Sequence, residues 1–366
     1  MARFLKYGIT TGATAAAAAK AAVIAALDEP VDRVVIPTPI GLRFEVPIKS
    51  SKKLSLGMAE SVVVKDAGQD IDVTDKMEIT ATVKLTDDGK VTIKSGVGIG
   101  KVTKAGLQVP IGEGAINPVP KSMITEAVKE VLPAGKGVEV TITAPEGANI
   151  AKKTMNAKLG IQGGVSILGT TGVVKPLSLE ACRRSLVPQI DVALARGYKR
   201  ILFVPGNIGE RIAKEKFNVP EDAIVQTGDF VGYMLDKAVE KGVKEIIILG
   251  HSGKLVKLAA RIFNTHHKVG DARNEVVASY AGAAGADTKT INKLLVANTT
   301  DEATEILRQA NLVEATYERI AQRVNQQVSD RVENKIKISV VIVAMDSRVL
   351  GMDENARCNK PWLKLT

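Results

Sequence analysis

Aromatic side chains are scarce in this sequence. Phe, Tyr and Trp make up 3% of the 366 residues, with one Trp among them. A core without large rings is filled by Val, Ile, Leu and Ala, and the 32 glycines let backbones approach one another, or a ligand, closely. Cysteine is almost missing: Cys182 and Cys358 stand at no metal-binding spacing, and both read as reduced thiols. Long apolar runs are missing too, since no stretch reaches the ~20 residues needed to cross a bilayer. No charged n-region precedes an apolar h-region, because residues 13–27 are Ala-rich and interrupted by Lys20. These absences argue against a membrane or secreted protein and predict a cytoplasmic one.

Dense basic runs are a further absence. The formal net charge is +10, from 50 Lys+Arg against 40 Asp+Glu, and a basic balance favours a polyanionic partner. Yet there is no Lys/Arg cluster and no RNA-binding aromatic signature, so the usual footprint of a nucleic-acid binder is lacking. A carboxylate-rich metabolite fits the charge at least as well. At roughly 150 residues per domain, the length predicts two domains.

The two halves follow different patterns. The first opens with an alanine run that predicts a helix over 13–27, with Thr10 and Thr11 as its candidate N-caps. Alternation then predicts strands. Met77, Ile79, Ala81, Val83 and Leu85 share one face, as do Val138, Val140 and Ile142, and further strands are expected at 33–36, 42–48, 61–65 and 91–94. Asp87-Asp88-Gly89 reads as a hairpin turn between two of them. A helix is expected at 124–132. In the second half, apolar strands at 200–204, 222–226, 245–249 and 336–344 alternate with helices at 208–216, 230–241 and 254–263. Apolar strands bounded by helices imply a parallel sheet covered on both faces. The expected fold is an α+β N-terminal domain (1–178) followed by an α/β Rossmann-like domain with a mostly parallel sheet (179–366), divided near Pro176. The tail after Met352 reads as a polar surface extension.

Chemistry is expected where glycine turns follow strands. Pro205-Gly206-Asn207-Ile208-Gly209 and Gly250-His251-Ser252-Gly253-Lys254 each close a strand and open a helix, where backbone N–H groups and the helix dipole can hold an anion or a ribose. Neither matches a Walker loop or G-x-G-x-x-G. All three histidines, His251, His266 and His267, lie in one strand-loop-helix-loop unit, and no further ligands make them a metal site. Thr170-Thr171-Gly172 repeats Thr10-Thr11-Gly12, either as a shared site or as two unrelated turns. Glycines at 96, 98 and 100 strip one strand face of side chains, so that a flat ligand or another backbone can lie there; a bulge or corner explains them equally well. Lys101 and Lys104 beside them can pair with acidic groups. The Asp-rich stretch at 66–75 lacks the calcium-loop spacing and reads as an acidic turn.

In order along the chain, Gly8-Ile9-Thr10-Thr11-Gly12 with its alanine run, Lys65-Asp66-Ala67-Gly68, Ala115-Ile116-Asn117-Pro118, Ser166-Ile167-Leu168-Gly169-Thr170-Thr171-Gly172, Pro205-Gly206, Gly209-Glu210, Gly250-His251, Gly253-Lys254-Leu255 and Thr265-His266 form a set that resembles the cobalt-precorrin-5B (C1)-methyltransferases. No segment is specific alone; the ordered set is. The chain departs from the family at Thr14, where Cys is common. The resemblance implies an enzyme that moves a methyl group from S-adenosylmethionine to C1 of cobalt-precorrin-5B, giving cobalt-precorrin-6A in anaerobic cobalamin biosynthesis. The cobalt arrives with the substrate, so no protein metal site is expected, and no nucleic acid or membrane partner. On this reading Gly206, Asn207, Gly209, Gly250 and Gly253 hold the donor. Thr10, Thr11, Lys101, Lys104, Thr170, Thr171 and Lys254 meet the substrate, and His251 or His266 moves a proton if one must move. The rival readings are a nucleotide-dependent oxidoreductase and a non-enzymatic tetrapyrrole-binding protein.

Overall fold

The alanine run folds as a helix without an outer face. In α1 (Thr11–Leu27) only Ile24 and Leu27 keep partial exposure. A helix apolar all round must be covered on every side. The computed structural model describes residues 5–217 and 219–358, and the chain divides into two compact units, Met1–Leu179 and Glu180–Thr366. The first unit wraps α1 with β1 (Gly8–Ile9), β2 (Arg33–Pro37), β3 (Arg43–Pro47), β4 (Ser50–Ser55), β5 (Met58–Val64), β6 (Glu78–Thr86), β7 (Val91–Ser95), β8 (Lys101–Val102), α2 (Pro118–Lys129), β9 (Gly137–Thr143), α3 (Gly147–Ala151), β10 (Ile161–Gln162) and β11 (Val173–Val174). Its main sheet has the order β4-β5-β6-β9-β7, and β1-β11, β2-β3 and β8-β10 are two-stranded ribbons. The methyl-sized side chains of α1 let the helix lie against β5 and β6 on one side and α2 on the other.

The single charge in α1 is buried and paired. Lys20 donates to the Val35 carbonyl oxygen and to Glu130, and Arg43 holds the same carboxylate with two N–H donors at 2.7 and 2.8 Å. The Arg43 hydrogen bonds, with the Lys20 ammonium behind them, bring the Glu130 carboxyl down to about 2. Lys65 repeats the device: its stem is buried and its ammonium lies 2.7 Å from Asp72. The acidic stretch is thus a pinned turn, with Asp66 and Asp72 accepting the N–H groups two residues ahead and Asp70 accepting that of Leu177.

The second unit holds α4 (Leu179–Leu186), α5 (Pro188–Ala195), β12 (Arg200–Val204), α6 (Asn207–Glu215), β13 (Ile224–Gln226), α7 (Val231–Glu240), β14 (Glu245–His251), α8 (Ser252–Ala259), α9 (Arg273–Ala283), α10 (Thr288–Leu295), α11 (Thr300–Gln309), α12 (Val313–Arg331), β15 (Lys337–Val343), β16 (Val349–Met352) and α13 (Glu354–Cys358). Strands β13, β12, β14 and β15 are parallel in that order, and β16 adds an antiparallel edge. Apolar residues of these strands feed a core on each face, one under α7, α8, α9 and α12 and one under α6. The two connections from β12 to β13 and from β13 to β14 bring the chain to opposite sides of β12, so the strand order reverses between β12 and β14. No helix among the described residues is long and apolar enough to cross a membrane.

Four expectations need correction. Asp87-Asp88-Gly89 is not a hairpin turn: β9 lies between β6 and β7, antiparallel to the first and parallel to the second. Strand β9, whose Val138, Val140 and Ile142 are buried, comes between the two, and it passes close to the loop because Gly137 carries no side chain to strike Asp88 and Thr86. The helix expected from residue 124 begins at Pro118; prolines in a first turn forfeit only N–H groups that no helix bond would use. The strand at 50–55 was not expected, because a polar edge strand in water shows no alternation. The tail is no loose extension up to residue 358. Asp353 is buried and accepts from Val340 N at 2.7 Å, Asn325 Nδ2 at 2.6 Å and Ala356 N at 3.2 Å, while burial pushes its carboxyl up. Residues 359–366 of that expectation lie outside the described residues.

The glycines at 96–100 meet other backbone. A Cβ on Gly98 would overlap the Ala144 carbonyl, and one on Gly164 would stand 2.7 Å from the Gly100 nitrogen. Gly100 N donates to Val165 O at 2.9 Å, and Val165 N to Gly98 O at 2.9 Å. Of the readings of this segment, close backbone packing is the one observed.

Two outcomes follow for stability. Glu130→Gln leaves the buried Lys20 without its carboxylate and should cost about 2 kcal/mol in urea unfolding, less than the ~3–5 of a fully enclosed pair because Arg43 is open to water. The folded carboxyl titrates near 2 against 4.5 in the unfolded chain, so its contribution is complete above pH 4.5 and is lost as pH falls toward 2; the variant should show a flatter stability profile over that window. Gly98→Ala adds a Cβ at φ +76 against a carbonyl. It should destabilise the first unit by about 3 kcal/mol from left-handed strain plus overpacking. A loss under 1 kcal/mol would show that the segment yields.

Candidate functional site

In an open parallel sheet, ligands bind beyond the carboxyl ends of the strands where the order reverses. That place lies between β12 and β14, and the two glycine turns stand there. Pro205 and Gly206 follow β12, and His251 to Lys254 follow β14. The Lys254 ammonium ties the strand ends together. It donates to the Pro205 carbonyl at 2.6 Å and lies 3.0 Å from Asp229 Oδ1, three residues past the end of β13. Thr265 donates its hydroxyl to the same Oδ1 at 2.9 Å, and its N–H to the Asp229 carbonyl at 2.9 Å. Burial works to raise the Asp229 carboxyl, but Lys254, the Thr265 hydroxyl and the nearby His266 outweigh it and hold it below its ordinary range. Asn207, the first residue of α6, accepts from the Gln226 amide at 3.3 Å.

The four glycines differ in use. A Cβ on Gly209 would stand 2.7 Å from the Leu249 carbonyl oxygen, so this glycine lets α6 sit tightly on the sheet. Gly250 meets Pro205 and Leu255 at 3.0 and 3.3 Å, and Gly253 meets His251 and Thr300 at 3.1 and 3.2 Å. Only Gly206 has room, with Lys254 Nζ its nearest neighbour at 3.6 Å. It also precedes a helix whose N-terminus no side chain caps.

The histidines are engaged. His251 Nδ1 accepts from Gly253 N at 3.1 Å and caps α8, which assigns the ring proton to Nε2, 3.3 Å from Asp301 Oδ1. His266 Nδ1 accepts from Lys268 N at 3.2 Å, so its neutral ring likewise presents an Nε2–H donor. His267 stacks on it at 4.5 Å between ring centres. The loop that carries both is held by buried Lys257, which donates to the Thr265 and Gly270 carbonyls at 3.2 and 3.0 Å; burial lowers its ammonium.

In the first unit, Thr10 and Thr11 meet the Thr170–Thr171 loop. Thr10 caps α1 through Ala13 N and donates its own N–H to Gly172 O at 3.1 Å. Thr11 Oγ1 accepts from Leu168 N at 2.9 Å and donates toward the Ser166 and Leu168 carbonyls. Both are buried, whereas Thr170 is exposed. Lys101 is exposed on β8, and the stem of Lys104 lies over Gly160 while its ammonium donates to the Lys158 carbonyl at 3.2 Å. Thr14 is buried inside α1 and donates to Thr10 O at 2.9 Å, a helix-internal bond. Among the described residues no three His, Cys, Asp or Glu gather in a way that could hold a metal ion.

The family model CbiD matches residues 1–176, and the model for the CbiD C-terminal domain matches residues 264–354. A protein of Methanocaldococcus jannaschii named cobalt-precorrin-5B C(1)-methyltransferase is 48% identical over 94% of this chain and 96% of its own length. A Moorella thermoacetica protein of the same name is 43% identical over 98% of this chain and 97% of its own. The chain belongs to the CbiD family. A crystal structure described as cobalamin biosynthesis protein (cbiD) from Archaeoglobus fulgidus is 34% identical, covers 74% of this chain and 84% of that one, and superposes with a TM-score of 0.40.

In this CbiD chain the sequence pointed to the two glycine turns but passed over Asp229 and Lys257. Asp229 stands in a Thr-Gly-Asp turn that reads as loop punctuation. The available signal was its spacing, about 20 residues past a strand-ending glycine, where dinucleotide folds keep an acidic residue. Lys257 carries no local signal, since only folding places carbonyls at its ammonium.

His251→Ala removes the cap of α8 and should lower stability by about 1 kcal/mol, whereas Asn, a good N-cap, should restore most of it. Denaturant midpoints of the two variants check this; equal losses would mean that the cap contributes nothing.

Proposed function

We propose that this protein transfers a methyl group from S-adenosylmethionine to C1 of cobalt-precorrin-5B, giving cobalt-precorrin-6A. The reading is carried by near-full-length identity to relatives that bear this name, and the donor site by the cluster at the strand reversal. The second unit is the Rossmann-like donor half, and the α+β first unit, with its exposed Lys101 and Thr170, is the corrinoid half. The work is done in the cytoplasm.

The residues at the reversal suit the donor. S-adenosylmethionine carries a carboxylate, an ammonium, a sulfonium and a ribose. Gly206 leaves room beside Lys254, the N-terminus of α6 offers backbone N–H groups at Asn207 and Gly209, and Asp229 stays ionised. Lys254 is spent on Pro205 and Asp229, so its task is to shape the donor site rather than to grip the substrate's acetate arms.

The chemistry is an in-line displacement. The electron-rich C1 attacks the methyl carbon as the carbon–sulfur bond breaks, and sulfur keeps the electron pair, leaving S-adenosylhomocysteine. The protein's part is to hold carbon and methyl in line, which can supply several kcal/mol of the barrier, on the order of 7 or more in well-oriented systems. Cobalt belongs to the substrate, and no side chain here has to bind it. His251 and His266 serve as hydrogen-bond donors rather than bases, because each neutral ring already uses its Nδ1 lone pair.

Anaerobic incubation of the protein with cobalt-precorrin-5B and methyl-labelled S-adenosylmethionine should place the label on C1 of the product, read by carbon NMR. Label at another ring carbon, or none on the ring, would overturn the reading.

A further inference from the structure

The Asp229 carboxylate has one oxygen in use and one to spare. Oδ1 takes both the Thr265 hydroxyl and the Lys254 ammonium, while among the described residues no donor reaches Oδ2. The side chain is only partly covered, and the free oxygen belongs to the turn that closes β13. Lys254 Nζ stands 3.0 Å from Oδ1 and would lie 3.6 Å from a Cβ on Gly206, so the carboxylate and the open glycine face one ammonium from two sides. A ligand lying against Gly206 therefore has only the Lys254 ammonium between it and the Asp229 carboxylate, and a group that extends past that ammonium meets Oδ2.

Two groups of the donor could use that oxygen: the α-ammonium or a ribose hydroxyl. The charge balance separates them. Asp229 is already neutralised by Lys254, so a second cation at Oδ2 would gain little and would face the Lys254 ammonium as a like charge. A neutral hydroxyl meets no such repulsion and gains a charge-assisted bond to a carboxylate oxygen. We infer that Asp229 is the ribose-recognising residue of the donor site, its Oδ2 accepting from a hydroxyl of the ribose diol while Lys254 and Thr265 hold the carboxylate in place. Asp229 thereby sets specificity for a nucleoside with an intact ribose and takes no part in bond making. This inference rests on the donor reading given above.

Calorimetric titration of the full chain tests it with four ligands: S-adenosylhomocysteine, its 2′-deoxy and 3′-deoxy analogues, and methylthioadenosine, which keeps the ribose but has no amino-acid arm. The wild type should bind at least one deoxy analogue about 10- to 100-fold more weakly than the parent, the range for a hydrogen bond to a charged group. Asp229→Asn should weaken the parent and methylthioadenosine alike and level the deoxy difference, whereas Thr265→Val should keep that difference. If both deoxy analogues bind the wild type as well as the parent does, the inference is overturned, and this arm needs no variant. It is also overturned if Asp229→Asn weakens the homocysteine compound but not methylthioadenosine, since the carboxylate would then be reading the ammonium. A wild type that binds none of the four overturns the donor reading itself, and this inference with it.

Discussion

Backbone has to pass within contact of backbone at several points of this protein, and a missing side chain is what allows it. In the first unit the alanines of α1 keep the helix thin enough to be enclosed by β5, β6 and α2. Gly98, Gly100 and Gly164 let two loop segments hydrogen-bond across a gap that a single methyl group would close. In the second unit Gly209 brings α6 down on the sheet at Leu249. The scarcity of aromatics belongs to the same design, because cores filled by Ala, Val and Ile leave layers close together.

A second theme is the use of lysine. The net charge of +10 suggested a basic surface for a many-armed acid. Four of the cations are instead structural. Lys20 and Lys65 are buried against carboxylates, Lys257 is buried against carbonyls, and Lys254 joins the ends of three strands. Buried ammonium groups cost desolvation, and Lys20, Lys65 and Lys257 recover it through fixed partners. The cations left for an acidic ligand are the exposed ones, Lys101 among them.

Much of the architecture was legible because burial imposes a period. The alternation of Met77 to Val83 and of Val138 to Ile142 marked strands with one face in the core, and the unbroken apolar runs of β12, β14 and β15 marked strands covered on both. Signals without burial failed: the exposed β4 has no pattern to read, and the helix expected from residue 124 begins at Pro118, before its apolar face starts. The Asp87 to Gly89 turn failed for a different reason. Its residues reverse the chain as expected, but local sequence cannot say which strand will fill the gap it leaves.

The same division runs through the candidate site. The sequence alone determined that glycine turns follow β12 and β14, that the histidines cluster near them, and that the ordered segments belong to one family, since turn chemistry and period are local properties of the chain. Only the tertiary structure decided that the strand order reverses between those two turns, that three of the four glycines serve packing, that His251 caps a helix, and that Asp229 meets Lys254. Those are contacts between residues distant in sequence, set by which strands pair and how closely their backbones approach, and no local pattern encodes them.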